Sequence, residues 1–208
     1  MPEFLSIQKE CLKNKELIII NNHCNKLIRE ECNRLELKVY DLPNQNTDPS
    51  HSHGYALNFL KNIIDYTDDY CILDHDLFII KELDFKDNEI ISHKSTGPTG
   101  INHLWAGFMA FKKEVDIKDI DFLPVAGLGD TAVMTSKLLN THKIHFMKET
   151  YIGSLNTNYV QTSAMISRFD DLAFHYLNGS DWMNTVEINK KNKKEILLQN
   201  LRLSGIII

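Results

Sequence analysis

One short apolar run that ends at two acids constrains the fold of this chain more than any other feature. Tyr70 to Leu73 is an unbroken apolar run without polar alternation. This pattern is typical of a strand covered on both faces in the middle of a parallel sheet. Asp74, His75 and Asp76 follow directly, and side chains alternate along an extended chain, so the two acids can project to one side. The sequence therefore predicts two carboxylates at the carboxyl end of a strand, where open α/β sheets bind ligands.

A pair of carboxylates in this position indicates chemistry with a metal and a phosphate group. Mg²⁺ and Mn²⁺ are held by one or two protein carboxylates, and phosphate oxygens complete the coordination shell. The alternative is that Asp74 and Asp76 are solvated acids of an ordinary turn.

Composition excludes several classes of protein. With 208 residues, of which 43% are hydrophobic, the chain is long enough for one domain and short for two. A net charge of −5 and a pI near 6.0 argue against a nucleic-acid surface. The cysteines contain no Cys-x-x-Cys pair, so neither zinc nor a disulfide framework is expected. No apolar run reaches the length of a membrane span, and we predict a cytoplasmic protein.

Helices and strands alternate before the two acids. Apolar spacing predicts helices at 4–13, 25–35 and around 56–64, with strands at 17–20 and 37–40 between them. This order favours an α/β fold whose mostly parallel central sheet is flanked by helices and joined by right-handed crossovers. Such a fold contains a Rossmann-like nucleotide-binding half.

The order changes after the acids. Strands are predicted near 89–92, 105–111, 144–147 and 174–176, and helices at 130–139 and 189–203. Ser95–Gly100 is rich in Gly and Pro, which predicts a mobile loop. The basic run Lys190–Lys194 is interpreted as a solvated helix face.

Stretches over most of the chain resemble motifs of the GT-A class of nucleotide-sugar glycosyltransferases. Ile72–Asp76 is similar to the Asp-x-Asp motif of that class. The other similar stretches are the nucleobase strand Leu17–Asn22, the helix start His53–Asn58, the sugar-pocket strand Trp105–Met109 and Phe174–Trp182. The last one resembles the His-x-x-Gly region of glycogenin-like and bacterial galactosyltransferase-like enzymes. The resemblance implies a single GT-A-like domain over residues 1–208.

The same resemblance implies a metal site and a donor site. Asp74, Asp76 and His175 would bind Mn²⁺ or Mg²⁺. The donor would be a nucleoside-diphosphate sugar such as a UDP-sugar, and the acceptor a hydroxyl of a glycan or glycoprotein. The implied substrate-binding residues are Asn21, Asn22, Asn58, Trp105, Gly107, Asn178, Gly179 and Ser180.

Asp130 is the candidate for catalysis. It follows Gly127-Leu-Gly129, and it could be a general base, a group that orients the sugar, or the N-cap of the helix predicted there. An acid in this position suits inversion at the anomeric carbon, whereas the His175 region is similar to retaining enzymes. The stereochemistry is therefore left unassigned.

Two other functions remain open. Ile72–Leu77 also resembles the first motif of haloacid-dehalogenase-like phosphatases, although that motif normally lies on the first strand and continues with Thr or Val. A non-catalytic module that binds nucleotide sugars or glycans is the third possibility. Under these alternatives His175 is a core histidine. His51 and His53, in a loop rich in Pro and Ser, are interpreted as surface histidines.

The ends of the chain suggest a longer protein. GT-A enzymes have a strand before the helix that we predict at 4–13, and none precedes it here. The last residues, Ser204–Ile208, are apolar. We therefore expect that the chain is a fragment.

Overall fold

The computed structural model describes residues 2–43, 48–129, 131–152, 166–176 and 187–207. They divide into two compact units. Unit 1 contains 17–74 and 84–147 with the first two residues, and unit 2 contains 3–16, 75–83 and 148–208. The chain passes from unit 1 to unit 2 between Asp74 and His75. The prediction of one domain stays a prediction.

Most predicted elements before the acids are confirmed. The helices are α1 (Pro2–Cys11), α2 (Lys26–Arg34), α3 (Pro49–Leu60) and α4 (Glu187–Leu203), with a 3-10 helix at Val133–Asn140. The strands are β1 (Ile18–Asn22), β2 (Lys38–Leu42), β3 (Tyr70–Leu73), β4 (Leu77–Ile79), β5 (Ile90–Thr96), β6 (Asn102–Phe111), β7 (Ile144–Phe146), β8 (Glu149–Ile152), β9 (Ile166–Phe169) and β10 (Ala173–His175). The sequence did not predict β4, β8 and β9.

The sheets of unit 1 confirm an α/β class but not a mostly parallel central sheet. β1 and β2 form a separate parallel pair, with Ile18 opposite Lys38. The larger sheet has the order β3-β6-β5-β7, in which β6 is antiparallel to β3 and β5, and β7 is parallel to β5. The central parallel position predicted for β3 was wrong: β3 is an edge strand antiparallel to β6, and only Ile72 of its apolar run is buried. An apolar run does not show which way a neighbouring strand points.

The core of unit 1 lies around β6. Phe108 to Phe111 on this strand are fully buried. Met109 and Phe111 pack in a cluster with apolar residues of neighbouring strands and of the segments after β6, among them Ile72, Ile90, Val115, Ile117, Phe122 and Leu138. The ladder from β3 to β6 is therefore embedded in the core.

The segment after Gly129 differs from its prediction. An α-helix at 130–139 was expected, and the structure has a 3-10 helix that begins at Val133. Ala132, just before it, has a left-handed φ of 68°. The Thr135 hydroxyl donates a hydrogen bond of 2.7 Å to Ala132 O and accepts one of 2.9 Å from Leu104 N. These bonds hold the turn against β6, and the left-handed residue interrupts an α-helical path.

Unit 2 is built on an antiparallel sheet with the order β4-β10-β9-β8. The Phe4 ring of α1 packs edge-on against Phe78 and Tyr176, at centroid distances of 5.2 and 5.1 Å. Leu197 and Leu201 of α4 are fully buried. None of the described helices is long and apolar enough to cross a membrane, and the cytoplasmic location stays a prediction.

Gly54→Ala should destabilise unit 1 because α3 passes close to the chain after β6. A Cβ at position 54 would lie 2.7 Å from Phe122 O and 3.0 Å from Leu123 Cα. Backbone atoms cannot swing away, so we expect a loss of about 1 to 3 kcal/mol despite the higher helix propensity of alanine. Urea denaturation followed by circular dichroism measures it. Tyr55→Ala, at an exposed position of α3, is the control and should cost less than about 1 kcal/mol; equal losses would contradict the prediction.

Candidate functional site

His51, Ser52 and His53 follow one another in the first turns of α3, and their side chains contact three different partners. Asp48 caps the helix by accepting a hydrogen bond from His51 N, and Pro49 occupies its first turn. Successive helical residues are rotated by roughly 100° about the axis. The side chains of residues 51, 52 and 53 therefore point in different directions.

Ser52 is held at the carboxyl end of β1. Asn22 Nδ2 donates to Ser52 Oγ at 2.8 Å and to Ser52 O at 3.1 Å, and His23 Nε2 lies 2.6 Å from the same Oγ. Ser52 is 4% exposed. Asn22 Oδ1 is buried and has no hydrogen-bond donor among the residues that the structure describes. The end of β1 is thus fixed to α3.

His53 is paired with the first of the two acids. Its Nε2 lies 3.2 Å from Asp74 Oδ1. Asp74 N donates a 2.9 Å hydrogen bond to Gly107 O, which continues the ladder between β3 and β6. A Cβ at position 107 would overlap the ring of Trp105, so this indole lies directly against the glycine. The structure thus brings the predicted residues Asp74, Gly107 and Trp105 together.

Two separate polar groups lie at the first turns of α3 in unit 1, and we call them together the α3 cluster. Its members are Asn22, His23, Ser52, His53 and Asp74. The ends of β1 and β3 meet in it, although these strands belong to different sheets. Asn22 and Asp74 are predicted site residues, whereas His53 was interpreted as a surface histidine and is instead paired with Asp74.

Two other predicted binding residues hold loops in place. Asn21 is 2% exposed, and it hydrogen-bonds to Asn25 and Asp41 around the turn after β1. Asn58 donates to Asp121 Oδ1 at 2.8 Å and accepts from Phe122 N at 3.1 Å. The hydrogen bond from Asn58 lowers the pKa of Asp121. All their described contacts serve the fold.

The second acid lies in unit 2 beside the predicted histidine ligand. Asp76 Oδ2 is 3.6 Å from His175 Nε2, and Asp76 is 4% exposed. Tyr176 N donates a 2.9 Å hydrogen bond to Asp76 O, which extends the pairing of β4 with β10. Burial raises the pKa of Asp76, but the bond and charge of His175, with the charge of His75, outweigh burial and lower it below its ordinary value.

Lys193 is a member of this site that the sequence did not predict. The basic run was interpreted as a solvated face, yet Lys193 is 5% exposed and its Nζ lies 4.2 Å from the centroid of the Tyr176 ring. Burial lowers the pKa of Lys193 to about 8, against the opposing charge of Asp76. Lys193 lies about one turn of the helix before the buried Leu197 and about two turns before the buried Leu201. That spacing places it on the buried stripe of α4 and was the available signal. We call Asp76, His175, Tyr176 and Lys193 the Asp76 cluster.

Asp76 and His175 carry oxygen and nitrogen donors of the kind that hold a metal, but their spacing is not that of an octahedral shell. Octahedral ligands at about 2.1 Å from a small cation are separated by about 3.0 Å when adjacent and about 4.2 Å when opposite. The 3.6 Å between Asp76 Oδ2 and His175 Nε2 matches neither separation. Within the described residues, no group of three or more His, Cys, Asp or Glu is placed to hold a metal ion. Asp130, Asn178, Gly179 and Ser180 lie outside the described residues.

His175→Ala should raise the pKa of Asp76, because burial remains while the favourable charge of His175 is lost. The lowered native pKa means that the carboxylate stabilises the fold above pH of about 4, and that this contribution is lost as pH falls through the native value. In the variant this stabilising contribution should shrink, because it equals the gap between the unfolded and the native pKa and that gap narrows. Carboxyl NMR titration and thermal unfolding against pH measure both effects. His145→Ala, on the exposed strand β7, is the control; an unshifted Asp76 titration in His175→Ala would show the coupling to be absent.

Comparisons with known proteins identified no relative of this chain. No protein-family model, no curated protein and no solved structure matches the chain. The likeness to GT-A glycosyltransferases therefore rests on the sequence motifs alone.

Proposed function

We propose that this protein is a metal-dependent glycosyltransferase with a GT-A-like fold that moves a sugar from a UDP-sugar to an acceptor hydroxyl. The observation that carries the proposal is the α3 cluster. It gathers Asp74 from the end of β3 and Asn22 from the end of β1 at the first turns of one helix. Ligands of α/β proteins bind at such strand ends.

Unit 1 would contribute the contacts to the nucleoside and the sugar. Trp105 lies against Gly107, and Gly107 O is bonded to Asp74 N. The Trp105 indole is proposed to offer an apolar face to the sugar, and the Asp74 carboxylate an oxygen ligand. Asn22 is fixed by its bonds to Ser52, so its position does not depend on the ligand.

In unit 2, the Asp76 cluster is proposed to hold the metal and to supply positive charge. Asp76 and His175 are the carboxylate and imidazole donors that Mn²⁺ or Mg²⁺ would take here, and such a metal supplies Lewis-acid stabilisation of the charge that develops on the leaving diphosphate. The Lys193 ammonium is a fixed cation in the same cluster and acts in the same sense. Asn178, Gly179 and Ser180 are proposed to approach the diphosphate, since glycine allows close backbone approach.

The chemistry at the acceptor requires a base. The acceptor oxygen forms a bond to the anomeric carbon while the bond from that carbon to the diphosphate breaks, and the acceptor proton must move to a protein group. Asp130 is proposed to serve this reaction as the base or by orienting the sugar. The glycan or glycoprotein class of the acceptor also belongs to the proposal.

Asp74→Ala and Asp76→Ala should each abolish Mn²⁺-dependent binding of UDP, because each removes an oxygen ligand. Isothermal titration calorimetry with UDP, with and without Mn²⁺, measures the effect. Asp68→Ala is the matched control, since Asp68 is an exposed acid just before the same strand β3, and it should bind like the wild type. If both variants bind UDP in the presence of Mn²⁺ with the affinity of the wild type, the proposal is wrong. Metal-dependent release of phosphate from p-nitrophenyl phosphate, without UDP binding, would support the phosphatase instead.

A further inference from the structure

Strand β6 of unit 1 has a wide bulge where it pairs with β5. Ser92 of β5 pairs with Met109 of β6, and two residues further along β5 Lys94 pairs with Leu104. One residue of β5 therefore lies opposite the four residues 105–108 of β6. A bulge bends its strand and changes the direction in which side chains point, and bulges are frequent next to functional sites.

Hydrogen bonds close the bulge on both sides. Ser92 is fully buried, and its Oγ donates a 2.7 Å hydrogen bond to Phe108 O. On the side of β3, Asp74 N donates a 2.9 Å hydrogen bond to Gly107 O. Two carbonyl groups of the bulge are thus paired, as buried backbone groups must be. The bulge is a fixed part of the fold, and it lies directly beside Asp74.

The bulge exposes part of one indole. From His103 to Phe111 this fully described stretch of β6 is buried at every position except Trp105, which is partly exposed. A Cβ at position 107 would overlap the Trp105 ring, so the indole can lie across the strand only because residue 107 is glycine. A flat aromatic face is thereby held next to the Asp74 carboxylate.

His93, the β5 residue opposite the bulge, contacts this indole. The ring centroids of His93 and Trp105 are 6.1 Å apart and their planes are inclined by 88°, which is an edge-to-face arrangement. His93 Nδ1 lies 3.2 Å from Met147 O, and because a carbonyl oxygen only accepts, Nδ1 carries a proton and donates it. Met147 is buried, and its N donates a 2.9 Å hydrogen bond to Ser92 O. The imidazole is therefore anchored to buried backbone.

We propose that the bulge is a stacking platform for the sugar of the donor and that His93 is a positioning residue that fixes the angle of the Trp105 indole. This inference rests on the proposed function, since the sugar is that of the UDP-sugar. A hexose ring places one face of C–H groups on the indole, and the imidazole holds the indole from the side without touching the sugar. UDP alone lacks the group that stacks. His93 therefore acts on the affinity for UDP-sugars and not on that for UDP.

His93→Asn separates the ring contact from the anchor, because asparagine keeps a side-chain N–H for Met147 O. Calorimetry with Mn²⁺ compares UDP with a panel of UDP-hexoses and UDP-N-acetylhexosamines. The affinity for the best-bound UDP-sugar should fall by about 5- to 10-fold, while the affinity for UDP and the thermal unfolding midpoint stay at their wild-type values. His145→Asn, on the exposed strand β7, is the matched control and should bind both ligands like the wild type.

Two further variants test the same contact from either side of the indole. His93→Phe restores a ring against the indole, and it should bring the UDP-sugar affinity back to within about 2-fold of the wild type. Gly107→Ala places a methyl group where the indole lies, so it should lower the UDP-sugar affinity as His93→Asn does.

Fluorescence reports on the platform directly. The chain has two tryptophans, and in a Trp182→Phe background all tryptophan emission comes from Trp105. A bound UDP-sugar should protect this emission from quenching by acrylamide, whereas UDP should not. The protection should be weaker when His93→Asn is added, because the indole is then no longer held in the stacking position.

The results distinguish failure of this inference from failure of the proposed function. If UDP binds with Mn²⁺ but no UDP-sugar protects Trp105, the platform is wrong while the proposed function stands. If His93→Asn lowers the affinities for UDP and UDP-sugar equally, or lowers neither, His93 has no positioning role. Absence of metal-dependent UDP binding in the wild type would overturn the proposed function, and the platform would fall with it.

Discussion

The ladder between β3 and β6 is the constraint on which the site of unit 1 depends. Its register sets Leu73 opposite Phe108, and the next bond, from Asp74 N to Gly107 O, carries the pairing one step beyond the strand. Because the β6 side chains behind this ladder are fully buried, a slip by one residue would turn every core side chain to the other face. Asp74 is therefore positioned by packing of the core.

The sequence predicted the strand but not its surroundings. The run from Tyr70 to Leu73 has the observed bounds of β3, although only Ile72 in it is buried and the other three residues are partly buried. Burial does not report the direction of the neighbouring strand, and β6 turned out to be antiparallel. The three-residue strand Leu77–Ile79 was missed, because so short a segment has no period to detect. It belongs to another sheet, and the chain changes units between Asp74 and His75.

The site was predicted unevenly for a related physical reason. An acid after an apolar run is visible in one stretch of chain, and the motif resemblance pointed to His175, which the structure sets beside Asp76. Lys193 was assigned to solvent because its neighbours in sequence are basic. Whether one lysine of a basic run is buried depends first on whether it lies on the same side of the helix as Leu197 and Leu201. It also depends on a surface that offers the lysine an aromatic ring and a carboxylate, here those of Tyr176 and Asp76.

The start of α3 shows how one local signal organises several contacts. Asp48 followed by proline is the pairing of an N-cap with a proline in the first turn, so the segment that was interpreted as a loop is the beginning of a helix. Once it is helical, consecutive residues must diverge. His51 meets Asp48, Ser52 meets Asn22, and His53 meets Asp74. A loop could place any one of these side chains, but the fixed rotation of a helix sets all three at once. The cap that starts the helix also orients His51, because Asp48 contacts both its backbone N and its Nδ1.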